Sequence, residues 1–245
     1  MMYKISIIGQ FHLNHNEDSS VILEIGEDIL LCAVMDGCSM GQESHFASTL
    51  LKKLLRKIGK EINYKEFIAK NKKTTKGYLK DIIQQLFAEL RQIKNLLHLE
   101  RDEILSTIIL AVLDKTKKEI ELIAVGDGLI CCNLTFTEFE QNNKPDYLGY
   151  HLNEAFDNWF ESHPQRLSLK DVRNFSMTTD GIFTFRGFDD KKYDKITEKG
   201  ILEYLLIDEE WANQENMLNK KLIEIEKKYG LKPSDDLTII RLMID

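Results

Sequence analysis

The sequence predicts an α+β domain in which antiparallel sheets are covered by helices. Runs rich in Ile, Val, Leu and Thr, which are typical of strands, lie near both ends of the chain. Long segments with helical periodicity lie between them, whereas a βαβ winding would alternate single strands with single helices. No linker or shift in composition divides the chain, so we expect one domain spanning residues 1–245.

The run LLCAVMDG at residues 30–37 predicts a buried strand that ends in Asp36-Gly37. Asp-Gly is one of the strongest hairpin signals. A hairpin needs a second strand directly afterwards, but a short loop and then a helical pattern follow here. The plain hairpin is therefore the weaker interpretation, and another constraint must hold Asp36 in place.

Two amphipathic helices are predicted after this strand. Apolar residues recur at three- and four-residue spacing over 44–58 and over 79–97. The polar, Lys-rich segment 70–77 between them predicts a solvated connection. We interpret both apolar stripes as core-facing rather than as grooves for a partner.

The later segments return to strand. TIILAVLD, EIELIAV and LICCNLTF predict three successive strands in a meander, with Asp127 in a hairpin turn between the second and the third. Residues 151–173 have no clear pattern. NFSMTT predicts a further strand, residues 211–229 predict an amphipathic helix closed by Gly230, and LTIIRLMI predicts the last strand.

The composition argues against several classes of partner and location. A net charge of -7 does not suit a protein that binds a nucleic-acid backbone through a basic face. No apolar run reaches the roughly 18 residues of a membrane helix, and the N-terminal residues lack a signal-peptide pattern. We therefore expect a cytoplasmic protein that binds neither nucleic acid nor membrane. Four cysteines without a CxxC pair favour reduced thiols.

Three separate segments place an aspartate at the end of a predicted strand, namely Asp36, Asp180 and Asp235. Neighbouring antiparallel strands can bring such ends together, where carboxylates would repel one another unless a cation lay between them. Oxygen ligands without a Cys or His cluster favour Mg²⁺ or Mn²⁺ over zinc. Two such ions sharing a carboxylate could generate a hydroxide nucleophile for in-line attack on phosphorus. The alternative is a metal-free domain in which each aspartate is a turn residue.

These aspartates belong to a set of short motifs that resembles the metal-dependent protein phosphatases of the 2C type. Each motif alone is weakly specific, whereas six motifs in the family's order and at compatible spacing are a strong signal. They cover nearly the whole chain: N-E-D at 16–18, A-V-M-D-G at 33–37, S-T at 106–107, V-G-D-G at 125–128, T-T-D-G at 178–181 and D-D-L-T at 235–238.

The resemblance implies a four-layer αββα sandwich, in which two antiparallel β-sheets are flanked by helices. It also implies a centre of two Mn²⁺ or Mg²⁺ ions at one end of the sandwich. By that likeness Asp36 would bridge both ions, and Asp180 and Asp235 would hold the first ion. The Gly37 carbonyl and Glu17 would serve the second ion.

The same likeness gives Asp18 the role of orienting metal-bound water. Asp102 occupies the position at which the family's D-x-x-x-S-T pattern carries a ligand for a third, weaker ion. The chain departs from the family at the phosphate-binding arginine, because Leu13 occupies that position. His12, in G-Q-F-H, is similar to the G-x-x-H of a divergent bacterial branch. His12 or His15 could therefore contact phosphate, the alternative being surface or packed histidines.

The loop after Asp36 also departs from the family, because it reads D-G-C-S-M-G rather than D-G-H-G-G or D-G-M-G-G. A catalytic cysteine would need a phosphate cradle closed by an arginine and a low thiol pKa. Glu43 instead brings a negative charge close to Cys38 in the sequence. We interpret Cys38 as a small filler residue rather than a nucleophile.

The resemblance implies hydrolysis of phosphoserine and phosphothreonine in proteins by a hydroxide that bridges two metal ions, without a covalent enzyme intermediate. The alternative is a regulatory or pseudophosphatase binding module on the same fold, which Leu13 and the altered loop favour and the complete aspartate set disfavours. The expected partner is a phosphorylated protein, and we expect a monomer. The Lys-rich segment 70–77 could guide acidic phosphopeptides, although such a run is more often a solvated loop.

Overall fold

Two five-stranded antiparallel sheets form the centre of the computed structural model, which describes residues 1–12, 14–38, 43–69, 72–140, 146–189 and 191–244. The β1 sheet contains, in spatial order, β1 (Met2–Ile7), β12 (Leu237–Met243), β9 (Asn174–Thr178), β6 (Gly128–Cys132) and β7 (Thr135–Phe139). The β3 sheet contains β2 (Asp18–Gly26), β3 (Ile29–Gly37), β4 (Ser106–Asp114), β5 (Glu119–Val125) and β8 (Arg166–Leu169). A separate two-stranded sheet pairs β10 (Phe185–Gly187) with β11 (Leu231–Pro233).

Helices cover the outer faces of both sheets. The β3 sheet packs against α1 (Ser44–Ala69), α2 (Thr75–Leu97) and α3 (Phe156–Ser162). The β1 sheet packs against α4 (Glu198–Leu206) and α5 (Met217–Glu224). This arrangement confirms the four-layer αββα sandwich. None of the helices in the described ranges is long and apolar enough to cross a membrane.

The strand β3 illustrates how the layers form. Leu31 and Met35 pack with the helices, whereas the alternate residues Leu30 and Val34 pack between the two sheets. Side chains of a strand point alternately to opposite faces, so a strand buried on both faces needs a continuous apolar run. That requirement explains why the sequence at this strand is apolar without interruption until Asp36.

The predicted meander is wrong. β4 pairs with β5, but β6 pairs with β9 in the other sheet. The chain crosses between the sheets at residues 126–128, where Gly126 has φ of 100° and Gly128 has φ of 135°. Residues with a Cβ rarely adopt these angles, so the two glycines permit the crossing. The hairpin lies one strand later, between β6 and β7.

Several helix boundaries also differ from the predictions. The helix predicted over 44–58 continues to Ala69, and α2 begins at Thr75, inside the connection predicted over 70–77. The helix predicted from residue 211 begins at Met217, because Trp211 has φ of 60° and cannot lie in a right-handed helix. A π-helical turn continues α5 and ends at Gly230 with φ of 64°, which confirms the predicted end of this helix.

Candidate active site

Strand ends that carry aspartates meet at one end of the sandwich. Asp18 begins β2 and lies opposite Asp36 near the end of β3. Asp180 follows closely after β9, and Asp235 precedes β12, which is the neighbour of β9. The Thr179 hydroxyl joins the two sheets there, because it donates to Asp18 Oδ2 at 2.7 Å.

The aspartates raise one another's pKa values. Burial raises the pKa of Asp36 well above its ordinary value, and the charges of neighbouring carboxylates raise it further. Those charges come from Asp18, Asp180 and Asp235. Burial, followed by the charges of Asp127 and Asp235, raises the pKa of Asp180 to about 7. Burial also raises the pKa of Asp18 to about 7, although the hydrogen bond from Thr179 acts in the opposite direction.

The chemistry of this cluster fits a divalent cation. Asp18 Oδ1 is buried and has no hydrogen-bond partner among the described residues, which is a costly state for a carboxylate oxygen. A positive charge would offset both this deficit and the mutual repulsion, and oxygen donors match Mg²⁺ or Mn²⁺. Within the described ranges, no three His, Cys, Asp or Glu side chains converge tightly enough to hold an ion. The ligand geometry therefore stays a prediction.

Asp236, for which the motifs predict no separate role, fixes the loop between β1 and β2. Its side chain is 1% exposed. Oδ1 accepts the Gly9 backbone N–H at 2.7 Å, and Oδ2 accepts the Glu17 backbone N–H at 2.5 Å. The side chain of its neighbour Asp235 is 43% exposed and contributes to the charge around Asp36. Asp236 thus positions the loop, whereas Asp235 remains accessible to a cation.

His12 lies beside these two adjacent aspartates. Its Nδ1 is 3.0 Å from Asp236 Oδ2, and its Nε2 is 3.5 Å from Asp235 Oδ1. Burial favours the neutral ring, but the contact with Asp236 and the charge of Asp235 outweigh it and raise the pKa of His12. The predicted site residue His12 is therefore brought to the cluster. His15 instead stacks on His45, with ring centroids 4.3 Å apart.

Two glycines explain why aspartate is followed by glycine at both strand ends. Neither Gly37 nor Gly181 has a positive φ, so neither is needed for a hairpin turn. A Cβ on Gly37 would lie 2.0 Å from the Ser44 carbonyl oxygen, and a Cβ on Gly181 would lie 1.8 Å from the Asp236 carbonyl oxygen. Close approach of another backbone segment requires glycine at both positions.

A family model described as Protein phosphatase 2C matches residues 11–222. The chain belongs to the protein phosphatase 2C family. This finding confirms the resemblance that the ordered motifs indicated. None of the curated protein sequences compared with the chain matches it.

Solved structures of bacterial 2C phosphatases share the fold at low identity. The PP2C domain of SpoIIE from Bacillus subtilis, with a regulatory fragment, matches at 18% identity and a TM-score of 0.60, over 100% of this chain and 63% of that chain. Stp1 from Staphylococcus aureus matches at 13% identity and a TM-score of 0.64, over 100% of this chain and 94% of that chain. RsbX in complex with magnesium matches at 14% identity and a TM-score of 0.55, again over 100% and 94%. Identities this low show a common fold alone.

Asp127, which the sequence predicts as a turn residue, is close enough to the aspartate cluster to interact with Asp180 and Asp235. It lies where the chain crosses from β5 to β6, so the predicted hairpin turn is wrong. Burial raises the pKa of Asp127, and the charge of Asp235 adds to this effect. Asp127 in turn raises the pKa of Asp180. Its place in the 2C family's V-G-D-G motif was the signal that could have identified it.

Of the remaining predicted residues, Glu17 lies near the end of β3, whereas Asp102 is exposed before β4. Glu17 lies beside Gly37, because the Gly37 backbone N–H donates to the Glu17 carbonyl at 3.1 Å. One carboxylate oxygen of Glu17 accepts a hydrogen bond from the Ser44 hydroxyl. Asp102 is exposed at the start of a one-turn 3₁₀ helix before β4, and its role as a ligand of a third ion stays a prediction. Leu13 and residues 39–42 lie outside the described residues.

Cys38 is packed rather than presented to the site. Its side chain is 7% exposed and clusters with Leu105 and Tyr147. Its backbone N–H donates to the Leu105 carbonyl at 3.1 Å, and its thiol is hydrogen-bonded to the Tyr147 hydroxyl. These contacts agree with a filler residue that anchors the end of β3.

Proposed function

We propose that this member of the 2C family is a metal-dependent phosphatase that hydrolyses phosphoserine and phosphothreonine in proteins. The main support for the proposal is a cluster of aspartates that belong to both sheets. The carboxylates of this cluster raise one another's pKa values. Crowded carboxylates destabilise a fold unless a cation is bound among them. Membership of the family supplies the reaction class that such a centre would serve.

Five groups would hold two Mg²⁺ or Mn²⁺ ions: the side chains of Asp36, Asp180, Asp235 and Glu17, and the Gly37 carbonyl. Bound ions would supply the Lewis acidity that activates water and offsets the charge that builds on the phosphoryl oxygens. In the proposed mechanism the protein provides the geometry, because each ligand sits at the end of a strand that is fixed by its sheet.

Asp18 would orient the attacking water. Its Oδ2 is held by Thr179, while its Oδ1 has no partner in the described part of the chain and would accept a hydrogen bond from the water. His12 would donate to a phosphoryl oxygen. Its contact with Asp236 favours the protonated ring, and this donor would compensate for the arginine that Leu13 replaces.

The test is hydrolysis of p-nitrophenyl phosphate with Mn²⁺ and with excess chelator. We expect chelation to abolish activity, and Asp36→Asn and Asp180→Asn to lower it at least about a hundredfold, because a charge-stabilising group is worth that much in other enzymes. Asp157→Asn is the matched control, since this aspartate is exposed and pairs with Lys80. Activity that survives chelation, or that is unchanged in both site variants, would remove the proposed mechanism.

The alternative is a regulatory module that binds partners without releasing phosphate. The departures at Leu13 and in the loop after Asp36 favour it. Calorimetric titration with Mn²⁺, followed by a phosphopeptide assay, separates the two functions. Metal binding with release of phosphate supports the phosphatase, whereas metal binding without any release supports the module.

A further inference from the structure

A cavity with basic walls lies beside the end of α2, away from the aspartates. Its volume is about 540 Å³, and it opens between the last turns of α2 and residues 149–153. We call it the basic pocket. Its polar lining consists of Arg91, Lys94, Asn95, Arg101, Tyr150 and Asn153, and no carboxylate from the described part of the chain lines it.

The three cations of the basic pocket have no acidic partners among the residues that the structure describes. Within the described ranges, none of Arg91, Lys94 and Arg101 forms an ion pair. The chain has 40 acidic and 33 basic residues, so an acidic neighbour would be the common situation for a surface cation. Lys94 also lies in the last turn of α2, where its charge offsets the helix dipole. Evidence for an anion ligand therefore comes mainly from Arg91 and Arg101.

Both arginines are already held in position. Arg91 Nη2 donates to the Leu152 carbonyl, which fixes one edge of its guanidinium. The Arg101 guanidinium lies over the Tyr150 ring, 4.1 Å from the centroid. A guanidinium that is held in this way loses less conformational entropy when it binds a phosphate or carboxylate. The basic pocket is therefore prepared for an oxyanion.

A short series of contacts connects the basic pocket with the aspartate cluster. Tyr150 packs edge-on against Tyr147, with ring centroids 5.4 Å apart. The Tyr147 hydroxyl is hydrogen-bonded to Cys38, which follows Asp36-Gly37 at the end of β3. Because an extended peptide advances only roughly 3.3 Å for each residue, a substrate that reaches both places would have several residues between them.

We propose that the basic pocket is a second anion site, which binds an acidic or phosphorylated side chain of a protein substrate several residues from the phosphoserine or phosphothreonine that is hydrolysed. The assignment of this ligand to a protein substrate depends on the proposed phosphatase function. The binding of an oxyanion to the pocket does not depend on that function.

Titration of the full chain with pyrophosphate in excess EDTA tests the anion site by calorimetry. The chelator removes the divalent ions through which phosphate would bind at the aspartates. We expect wild type to bind, Arg101→Gln to weaken binding about fivefold to tenfold, and Arg101→Lys to retain part of it. Lys94→Gln provides a second variant, and Arg56→Gln is the matched control on α1. Absence of binding, or equal weakening by Arg56→Gln, would overturn the proposal.

Two phosphopeptides that differ only in acidic residues several positions from the phosphoserine test the source of the ligand. We expect the acidic peptide to have the lower KM, and Arg101→Gln to raise this KM towards that of the neutral peptide with kcat unchanged. Equal KM values alongside pyrophosphate binding would assign the pocket to a free small anion and overturn substrate docking. If no peptide is hydrolysed, the phosphatase function and substrate docking fail together, and the pyrophosphate titration still decides whether the anion site exists.

Discussion

The adjacent residues Asp235 and Asp236 provide a sharp test of how the site is assembled. Asp236 is buried and accepts backbone N–H groups from Gly9 and Glu17. Asp235 is accessible and faces other carboxylates. The same substitution should therefore lower the free energy of unfolding at Asp236 but not at Asp235, because Asp236 satisfies buried donors whereas Asp235 adds repulsion.

The expected changes in the free energy of unfolding follow from the number of hydrogen bonds that each substitution removes. A hydrogen bond to a charged group contributes about 1.5–3 kcal/mol. Asp236→Asn keeps one carbonyl oxygen and turns an NH₂ group towards one of the two N–H donors, so we expect it to destabilise the fold by about 1.5–3 kcal/mol. Asp236→Ala removes both acceptors, and we expect about twice that loss. Asp235→Asn relieves like-charge repulsion, and its effect should lie within about 0.5 kcal/mol of zero or be stabilising.

Urea unfolding followed by circular dichroism measures these differences. The buffer should contain EDTA, since a metal bound only to the folded state would add its own stabilisation. In the phosphatase assay with Mn²⁺, Asp235→Asn should lose activity although its fold is as stable as wild type. Equal destabilisation by Asp235→Asn and Asp236→Asn, or a neutral Asp236→Asn, would refute the assignment of Asp236 as the residue that holds the loop.

Two further predictions concern stability. Gly181→Ala should destabilise the fold by about 1–3 kcal/mol in urea unfolding, because its Cβ would meet the Asp236 carbonyl oxygen. Gly187→Ala is the control, since no atom of the described residues would lie within 4 Å of its Cβ, and an equal loss in both variants would contradict the close approach. The hydrogen bond that His151 Nε2 donates to Asp146 Oδ1 raises the pKa of His151, so its stabilisation is complete below about pH 6.5 and is lost as the pH rises through the raised value. The stability difference between wild type and His151→Asn, measured from about pH 5 to about pH 9, should shrink over that range, and a difference independent of pH would exclude this linkage.

The sequence predicts the elements whose periodicity reports burial. The first helix could be placed because its apolar residues face the β3 sheet as far as Ile62. Its last turns could not, since Tyr64 and Phe67 are 68% and 81% exposed and follow no buried stripe. Periodicity measures which face is covered rather than where the hydrogen-bonded helix ends.

Some of the candidate site residues could likewise be selected from the sequence pattern, whereas others depend on contacts that only the fold creates. The aspartates at strand ends could be selected from the sequence because each follows or precedes an apolar run. Strand patterns alone could not select Asp127, because a two-residue connection between strands has the same appearance whether the strands pair or lie in different sheets, and only its place in the V-G-D-G motif pointed to it. The choice between Asp235 and Asp236 is also invisible in the sequence, since it depends on which carboxylate the Gly9 and Glu17 amides reach.

The long spread of the motifs along the chain follows from the sandwich itself. Asp18 and Asp36 belong to the β3 sheet, whereas Asp180 and Asp235 flank strands of the β1 sheet. Repulsion among these carboxylates therefore pushes the two sheets apart at this end. The apolar side chains packed between the sheets oppose that repulsion. The hydrogen bond from Thr179 to Asp18 is a polar tie at the same end. A cluster held by both sheets gains rigid ligand positions, and it must draw its residues from both early and late strands of the chain.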